Sequence, residues 1–144
     1  MTSASSIVGE MPAIELADVT APPEDPEKIL SANIYQRHVV LSGETPARAG
    51  AAGHGLMCRV ERRGNEFART DDPQANTGKW VDIVRHVADV LAAFGERLRS
   101  GEIIITGSVV PPLAIEPGEE AIAFEVDPIG GIAVRFSGFD KAGK

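Results

Sequence analysis

Glycine and proline divide this chain into short segments, and one of those segments has the apolar spacing of a long helix. The sequence of 144 residues contains 15 Gly and 10 Pro. Both residue types interrupt regular structure and favour turns. Short segments between turns favour strands over helices, because helices of globular proteins usually need about ten or more residues. We therefore expect a chain that is mostly β, with one main helix.

The predicted helix is recognised from its apolar residues, which are spaced four, three, four and three positions apart: Trp80, Val84, Val87, Leu91 and Phe94. That spacing places them on one face of a helix. We expect the face to be buried against a sheet, with Thr77 or Asn76 as the N-cap and Gly101 as the stop.

Short apolar or β-branched runs predict the strands, and the runs are bounded by turn-forming residues. The clearest hairpin signal is Arg62–Asn65, in which Gly64 and Asn65 tolerate the positive φ of a tight turn. A short helical turn is expected over Lys28–Tyr35. The predicted strands are Pro12–Val19, His38–Leu41, Leu56–Glu61, Glu66–Arg69, a buried strand at Ile103–Ile105, Ala121–Val126 and Ile132–Phe136.

Length and composition limit the classes of protein to consider. The length fits one domain over residues 1–144, with residues 1–10 and 140–144 expected to be frayed. Fourteen Lys and Arg against 21 Asp and Glu give a net charge of −7, which makes a nucleic-acid partner a poor expectation. The single cysteine, Cys58, excludes an internal disulfide. No targeting or membrane-spanning signal is recognised, so we expect a cytoplasmic protein without a membrane partner.

Several reactive residue types form no convincing site of their own. His38, His54 and His86 fall on a strand, a Gly-rich loop and the polar helix face, and we interpret them as surface residues. Glu125 and Asp127 share a strand face and are read as solvated. The arginines around the predicted hairpin are likewise interpreted as a solvated surface in an acidic protein.

An ordered set of motifs resembles the later portion of the 2-keto-4-pentenoate hydratase family, within the fumarylacetoacetate hydrolase-like fold. The set includes the Pro-Ala-Ile-Glu stretch at Pro12–Glu15, Thr77-Gly78, the helix through Ala93-Phe94-Gly95, and Gly101–Phe136 with its Thr-Gly-Ser and Pro-Gly-Glu turns. The resemblance covers the chain from about Gly9 to Phe136. It implies an α+β fold, a mixed β-rich roll of the C-terminal type with one main helix.

The resemblance also implies a chemistry. Family members add or remove water, or cleave carbon–carbon bonds, on small 2-keto acids in the catabolism of aromatic compounds. A divalent metal, Mg²⁺ or Mn²⁺, stabilises the enolate as a Lewis acid. Glu15 matches a metal ligand of the family. Judged by strand alternation alone, Glu15 is the polar residue of a half-exposed strand.

The resemblance assigns substrate binding to the Thr106-Gly107-Ser108 turn and to Asn33. Backbone N–H groups and two hydroxyls of such a turn can hold a carboxylate or keto oxygen. Asn33 corresponds to the Asn of a family Ala-Asp-Asn stretch, whose Asp is absent here because Ser31-Ala32 precede it. If the assignment is correct, the Glu15 carboxylate faces the same cavity as Ser108. No catalytic residue is assigned.

The family's Glu-x-Glu metal motif has no counterpart anywhere in the chain. One carboxylate cannot form a tight Mg²⁺ site, since Mg²⁺ requires an octahedral set of oxygen ligands. We therefore expect the later part of a longer enzyme, which self-associates or needs a partner chain and binds metal weakly by itself. The alternatives are a truncated or accessory non-catalytic chain, or a decarboxylase or hydrolase of the same fold.

Overall fold

The protein was analysed as a computed structural model, which describes residues 4–19, 24–43, 50 and 52–137. A short 3-10 helix at Ala4–Ser6 precedes two helices and six strands. In chain order these are β1 (Ala13–Ala17), α1 (Pro26–Ser31), β2 (Gln36–Leu41), β3 (Met57–Arg62), β4 (Asn65–Thr70), α2 (Trp80–Ala93), β5 (Ala121–Asp127) and β6 (Gly130–Arg135). Residues 140–144, the C-terminal tail that we expect to be frayed, lie outside the described residues.

A four-stranded antiparallel sheet with the order β4-β3-β5-β6 forms the centre of the molecule. The predicted hairpin between β3 and β4 is present, but its turn is shifted by one residue. Arg63 and Gly64 have the positive φ values of 54° and 73°, whereas Asn65 already begins β4. A two-residue turn with positive φ at both positions matches the right-handed twist of the flanking strands.

The strands predicted near the N-terminus form a separate two-stranded sheet. β1 pairs with β2 in antiparallel register, which places Glu15 opposite Val39. β1 also contacts β6, so this small sheet lies against an edge of the central one. The two strand predictions are confirmed, with bounds one or two residues different from those expected.

Five buried apolar side chains, Leu56, Cys58, Val60, Ile122 and Val126, lie on the central sheet or directly before it. Leu56, Cys58 and Val126 form a cluster in which each side chain is less than a tenth exposed. Four half-buried residues pack against this cluster: Trp80, Val109, Phe124 and Ile129. Trp80 therefore connects the first turn of α2 to the core.

Helix α2 is present, but its predicted caps and burial are wrong. The N-cap is Lys79, which provides no side-chain hydrogen bond, and the helix ends at Ala93, before Gly95 with its φ of 75°. No residue of the helix is buried, and Phe94 at its C-cap is 82% exposed. The apolar spacing correctly predicts the helix. The expected burial of its apolar face against a sheet is not observed, since no helix residue is buried.

The predicted buried strand at Ile103–Ile105 is also absent from the described part of the chain. The segment has no assigned strand pairing, and Ile103 and Ile105 are 54% and 40% exposed. A β-branched run predicts an extended backbone, but a strand also requires a neighbour to pair with. That neighbour is not among the described residues.

No helix in the described ranges is both long enough and apolar enough to cross a bilayer.

Candidate functional site

Glu15 lies on β1 with its side chain exposed. It is flanked by Ile14 and Leu16, which are both half-buried, so the alternation expected for a strand with one covered face is observed. The carboxylate is therefore available to a ligand or metal. Its position opposite Val39 adds no second oxygen ligand from β2.

The Thr106-Gly107-Ser108 turn is positioned by contacts to the residues just before α2. Gly107 has a φ of 106°, and a Cβ built on it would lie 2.7 Å from Cγ2 of Thr77. Both the backbone conformation and the close approach therefore require glycine here. The Ser108 hydroxyl donates a 2.5 Å hydrogen bond to the backbone oxygen of Val110.

A second contact fixes the residue after this turn. The Asn76 side-chain amide donates a 3.0 Å hydrogen bond to the backbone oxygen of Val109. Together with the approach of Gly107 to Thr77, it holds the turn beside the segment that leads into α2. The N-terminal end of a helix carries partial positive charge and unpaired N–H groups, which favour anionic groups nearby. The location of the turn is compatible with binding of a carboxylate.

Asn33 lies in an unusual backbone segment after α1. Asn33, Ile34 and Tyr35 have φ values of 54°, 52° and 68°. Asn adopts this left-handed region more readily than most residues, but a β-branched Ile there is strained. The Asn33 amide donates a 2.6 Å hydrogen bond to the side-chain oxygen of Gln36. Asn33 itself is exposed.

The described residues do not provide a complete set of metal ligands. No cluster of three or more His, Cys, Asp or Glu side chains that could hold an ion occurs among them. Glu15 is a single carboxylate, and a tight Mg²⁺ site needs a near-octahedral set of oxygen ligands. A divalent metal of the kind the family uses therefore does not fit these residues by themselves.

Two concavities on the central sheet are lined by residues other than those assigned from the resemblance. One, of about 230 Å³, is lined by residues of the β3–β4 hairpin together with Glu116. The other, of about 320 Å³, lies over β3, β5 and β6. Neither is lined by Glu15, Asn33 or the Thr106–Ser108 turn. The shared cavity of Glu15 and Ser108 thus stays a prediction.

The sequence interpretation missed a buried ion pair that connects β3 to the loop before β5. Glu119 has a fully buried side chain, and its two carboxylate oxygens accept hydrogen bonds from Nε and Nη2 of Arg62 at 2.5 and 2.8 Å. Arg62 also donates to the backbone oxygen of Ala114, and Glu119 accepts from the backbone N–H of Glu116. Arg62 is therefore not the solvated residue that we expected.

The electrostatics of this pair follow from its geometry. The Arg62 guanidinium holds the pKa of the Glu119 carboxyl below its usual range, although burial acts in the opposite direction. The same hydrogen bonds raise the pKa of Arg62. Because 57 residues separate the two, periodicity gave no signal for the pairing. The Pro-Gly-Glu turn that precedes β5 was the available clue. The pair is a structural connection and brings no candidate site residue into place.

The histidine and Glu125 interpretations agree with the structure. His38, His54 and His86 are exposed. Glu125 is exposed as well, and it forms an ion pair with Arg59 across β3 and β5 at 3.4 Å.

Comparison with known proteins supports the resemblance inferred from the motifs. No protein-family model matches the chain. Two curated relatives match over 81 residues, 2-keto-4-pentenoate hydratase 2 and 2-keto-4-pentenoate hydratase 1 of Dechloromonas aromatica strain RCB, at 27% and 26% identity. The match covers 56% of this chain and 30% of each hydratase. The matched residues therefore span less than a third of the relatives' length, in their C-terminal part, and the match to the family is partial.

Solved structures agree on the fold. Two structures of 4-oxalocrotonate decarboxylase from Pseudomonas putida G7 superpose with TM-scores of 0.70 and 0.73, at 23% and 22% identity. The first is complexed with calcium and acetate, the second with magnesium and adipate. Each superposition covers 88% of this chain and 48% of the decarboxylase. The β-rich architecture with one main helix is therefore shared, at a coarse level, with these decarboxylase structures.

Proposed function

We propose that this chain carries the substrate-binding part of a lyase that acts on small 2-keto acids, of the hydratase or decarboxylase type. The observation that carries the proposal is the 81-residue match to two 2-keto-4-pentenoate hydratases. The superposition on 4-oxalocrotonate decarboxylase supports the same reaction family and leaves hydration and decarboxylation both open. Both reactions begin from a small acid whose carboxylate and keto oxygens must be held in place.

The turn at Thr106-Gly107-Ser108 is the part of this chain best suited to that binding. The Thr106 hydroxyl and the backbone N–H groups of the turn lie near the residues that lead into α2, whereas the Ser108 hydroxyl already donates to Val110. Hydrogen bonds from such groups to a carboxylate are charge-assisted and therefore stronger than neutral ones. In the proposed role, the turn orients the acid, and the Asn33 amide contributes a further donor.

We propose Glu15 as a metal ligand, because it matches a metal ligand of the family. Because the described donors do not form a complete site, we assign no step of the reaction to a metal held by this chain alone. A bound Mg²⁺ or Mn²⁺ would supply Lewis-acid stabilisation of an enolate. The remaining ligands would have to come from outside the described residues.

The binding role is tested by titrating the chain with adipate and with 2-hydroxypenta-2,4-dienoate, followed by NMR shifts of backbone amides. We expect weak binding with the largest shifts at residues 106–108. Thr106→Val removes one hydroxyl and should weaken binding about three- to tenfold, as loss of one hydrogen bond implies. Ser31→Ala, on the exposed α1, is the matched control and should leave binding unchanged. Shifts confined to other regions would contradict the assignment.

Turnover tests the reaction itself. Hydration of 2-hydroxypenta-2,4-dienoate and decarboxylation of 4-oxalocrotonate should be assayed with Mg²⁺ and with Mn²⁺, for the chain alone and with a polypeptide that supplies the missing carboxylates. We expect metal-dependent activity only when that polypeptide is present, and Glu15→Gln should abolish it. Glu66→Gln, an exposed carboxylate on β4, is the control and should retain activity. Activity that persists in Glu15→Gln would show that the ligand is misassigned.

A specific observation favours a second candidate function, a non-catalytic accessory chain. The chain has no Glu-x-Glu sequence, and its described residues contain no cluster of three metal-ligating side chains. An accessory chain would bind its partner without contributing to turnover. In that case Glu15→Gln and Ser108→Ala would leave the activity of the assembled enzyme unchanged.

A further inference from the structure

Strand β4 is the outermost strand of the central sheet, and no other described strand pairs with its outer edge. Its inner edge pairs with β3, except at Phe67, which has no partner on β3 because the register shifts there. An edge strand presents backbone N–H and C=O groups that can pair with a further strand. Charged side chains on such an edge either prevent that pairing or select a partner for it, depending on the order of the charges.

The charged side chains of β4 lie beside like charges on β3. Glu66 lies directly opposite Glu61, and Arg69 lies directly opposite Arg59. Like charges in directly opposite positions destabilise a pair of strands. Within the described ranges, no ion pair includes Glu66 or Arg69, although Nη2 of Arg69 contacts Sδ of Met57 at 3.8 Å. This edge of the sheet therefore has an acidic pair next to a basic pair.

The acidic pair and the basic pair share one face of the sheet. Arg59 and Glu61 are two residues apart on β3, so their side chains project from the same face. Directly opposite residues of neighbouring antiparallel strands also share a face, which places Glu66 and Arg69 on it as well. The side chains of Glu61, Glu66 and Arg69 are exposed to solvent. A strand added beside β4 would therefore lie within reach of these charges.

Strand β4 is complementary in charge to a second copy of itself. One antiparallel register pairs all six residues of the strand, and its two-fold axis passes between Phe67 and Ala68. In that register Glu66 of one copy lies opposite Arg69 of the other copy, and the two-fold symmetry creates this pair twice. The acidic pair of one copy then adjoins the basic pair of the other. Registers centred on Glu66 or on Arg69 would instead place like charges opposite each other.

The centre of the same strand has exposed apolar surface. Phe67 is 51% exposed, and the Arg62 guanidinium lies 5.9 Å from the centre of its ring. Because Phe67 is next to the two-fold axis, pairing brings the Phe67 residues of the two copies near each other. An aromatic centre flanked by charged groups is the usual composition of a protein–protein interface.

We propose that the outer edge of β4 binds a second copy of this chain, so that the central sheet continues across a two-fold axis. The order of charges on β4 supports this occupant, because a second copy supplies an arginine opposite Glu66 and a glutamate opposite Arg69. The surface includes none of the residues assigned to substrate or metal, so the inference is independent of the proposed function. The net charge of −7 on each copy opposes association at long range, but at about 0.15 M salt this repulsion is screened beyond about 8 Å.

Charge exchange on β4 tests the proposal, with sedimentation over a range of protein concentrations as the measurement. Glu66→Arg makes both positions basic and Arg69→Glu makes both acidic, so each variant should dissociate at least about tenfold more readily than the parent. A mixture of the two variants restores both opposite-charge pairs and should form a heterodimer. Asp89→Arg and Arg97→Glu make the same charge changes at exposed residues outside the sheet and should leave association unchanged.

The double variant Glu66→Arg/Arg69→Glu should associate as the parent does, because the opposite-charge pairs are restored with reversed sign. It also removes the like-charge contacts with β3, so it should fold at least as well as the parent. Thermal unfolding of every variant, measured in parallel, separates weaker association from a folding defect. Amide hydrogen exchange should show additional protection of residues 65–70 at concentrations at which the dimer forms.

Three results would overturn the proposal. The first is a parent chain that stays monomeric up to about 1 mM. The second is association of Glu66→Arg or Arg69→Glu that equals that of the parent. The third is a mixture of these two variants that forms no heterodimer although both variants are folded. Any of the three would indicate that the charges on β4 protect this edge from pairing.

Discussion

The central sheet differs from α2 and Ile103–Ile105 in how fully its apolar side chains are covered. The central sheet has paired strands, a turn with the required backbone conformation and a cluster of buried side chains. Helix α2 is well formed but has no buried residue, and Ile103–Ile105 have no strand pairing among the described residues. Both regions have equally clear apolar patterns in the sequence.

The difference shows that an apolar pattern predicts which face a segment would bury, and does not ensure that a neighbour is present to bury it. The central strands find their partners within the described chain, at separations of up to about 70 residues. The helix face and Ile103–Ile105 lack such a partner there. Stability should therefore be concentrated in the sheet, and substitutions can measure the contrast.

The largest expected effect is at the core of the sheet. Leu56 is 2% exposed, and Leu56→Ala removes buried contacts and leaves a cavity, so the free energy of unfolding should fall by about 3–4 kcal/mol. Ile103→Ala, at a 54% exposed residue outside the sheet, should cost less than about 0.5 kcal/mol. Urea denaturation of both variants checks the difference. Equal losses would mean that Ile103 is buried in solution.

The Arg62–Glu119 ion pair between β3 and the loop before β5 should give the next largest effect. Glu119→Ala leaves Arg62 largely buried without its carboxylate, and we expect a loss of about 3 kcal/mol. Glu116→Ala, which removes an exposed carboxylate near the same arginine, should cost less than about 1 kcal/mol. If the double variant Arg62→Met/Glu119→Leu restores most of the loss, the damage comes from the unpaired charge.

Acid should destabilise the sheet through the same pair. The pKa of Glu119 is lower in the folded chain than in the unfolded one, because Arg62 hydrogen-bonds to its carboxylate. Its stabilising contribution is therefore complete above the unfolded pKa of about 4.3 and is lost as the pH falls through the folded pKa below it. Denaturation at several pH values should show a shallower decline for Glu119→Gln than for the parent. Identical pH profiles would remove Glu119 as the cause.

A smaller effect is expected on the helix. Leu91 is half-buried, so Leu91→Ala should cost the free chain about 1 kcal/mol or less. Chemical denaturation of the parent chain and of Leu91→Ala measures this cost. A loss of several kcal/mol in the free chain would show that α2 is already covered.

The smallest effect concerns the thiol of the core. Cys58 is 2% exposed, and burial raises the pKa of its thiol, so it should not react with a thiol reagent in the native chain. Reaction should appear only with denaturant. Cys58→Ala/Ser31→Cys places a thiol on the exposed α1 and should react at once. Fast native reaction of Cys58 would indicate that the core of the sheet opens readily.

Local pattern was sufficient for the elements that depend on neighbours close in the chain. The alternation around Glu15, the turn-forming residues at Gly64 and the spacing from Trp80 to Leu91 each act over a few residues, and the corresponding strand, hairpin and helix are present. The ordered motifs, read as a resemblance, also indicated the family that the comparisons support.

Contacts between residues far apart in the chain could not be predicted from the local sequence pattern. The Arg62–Glu119 pair joins residues 57 positions apart, and a solvated arginine and a buried one have the same appearance in a sequence. The placement of Gly107 against Thr77 is of the same kind. The site residues Glu15, Asn33 and Thr106–Ser108 were named by resemblance, and their common cavity depends on contacts that periodicity does not encode.

The sequence by itself determined where this chain can be helical, extended or turned, because backbone preferences and apolar spacing act over a few residues. The tertiary structure decided which of those segments are covered. In the structure, β3 pairs with β5, and the buried Glu119 carboxylate forms an ion pair with Arg62. Within the described chain, no sheet covers α2 or Ile103–Ile105. The physical reason is that burial and strand pairing are properties of two surfaces in contact, and a sequence pattern describes only one of them.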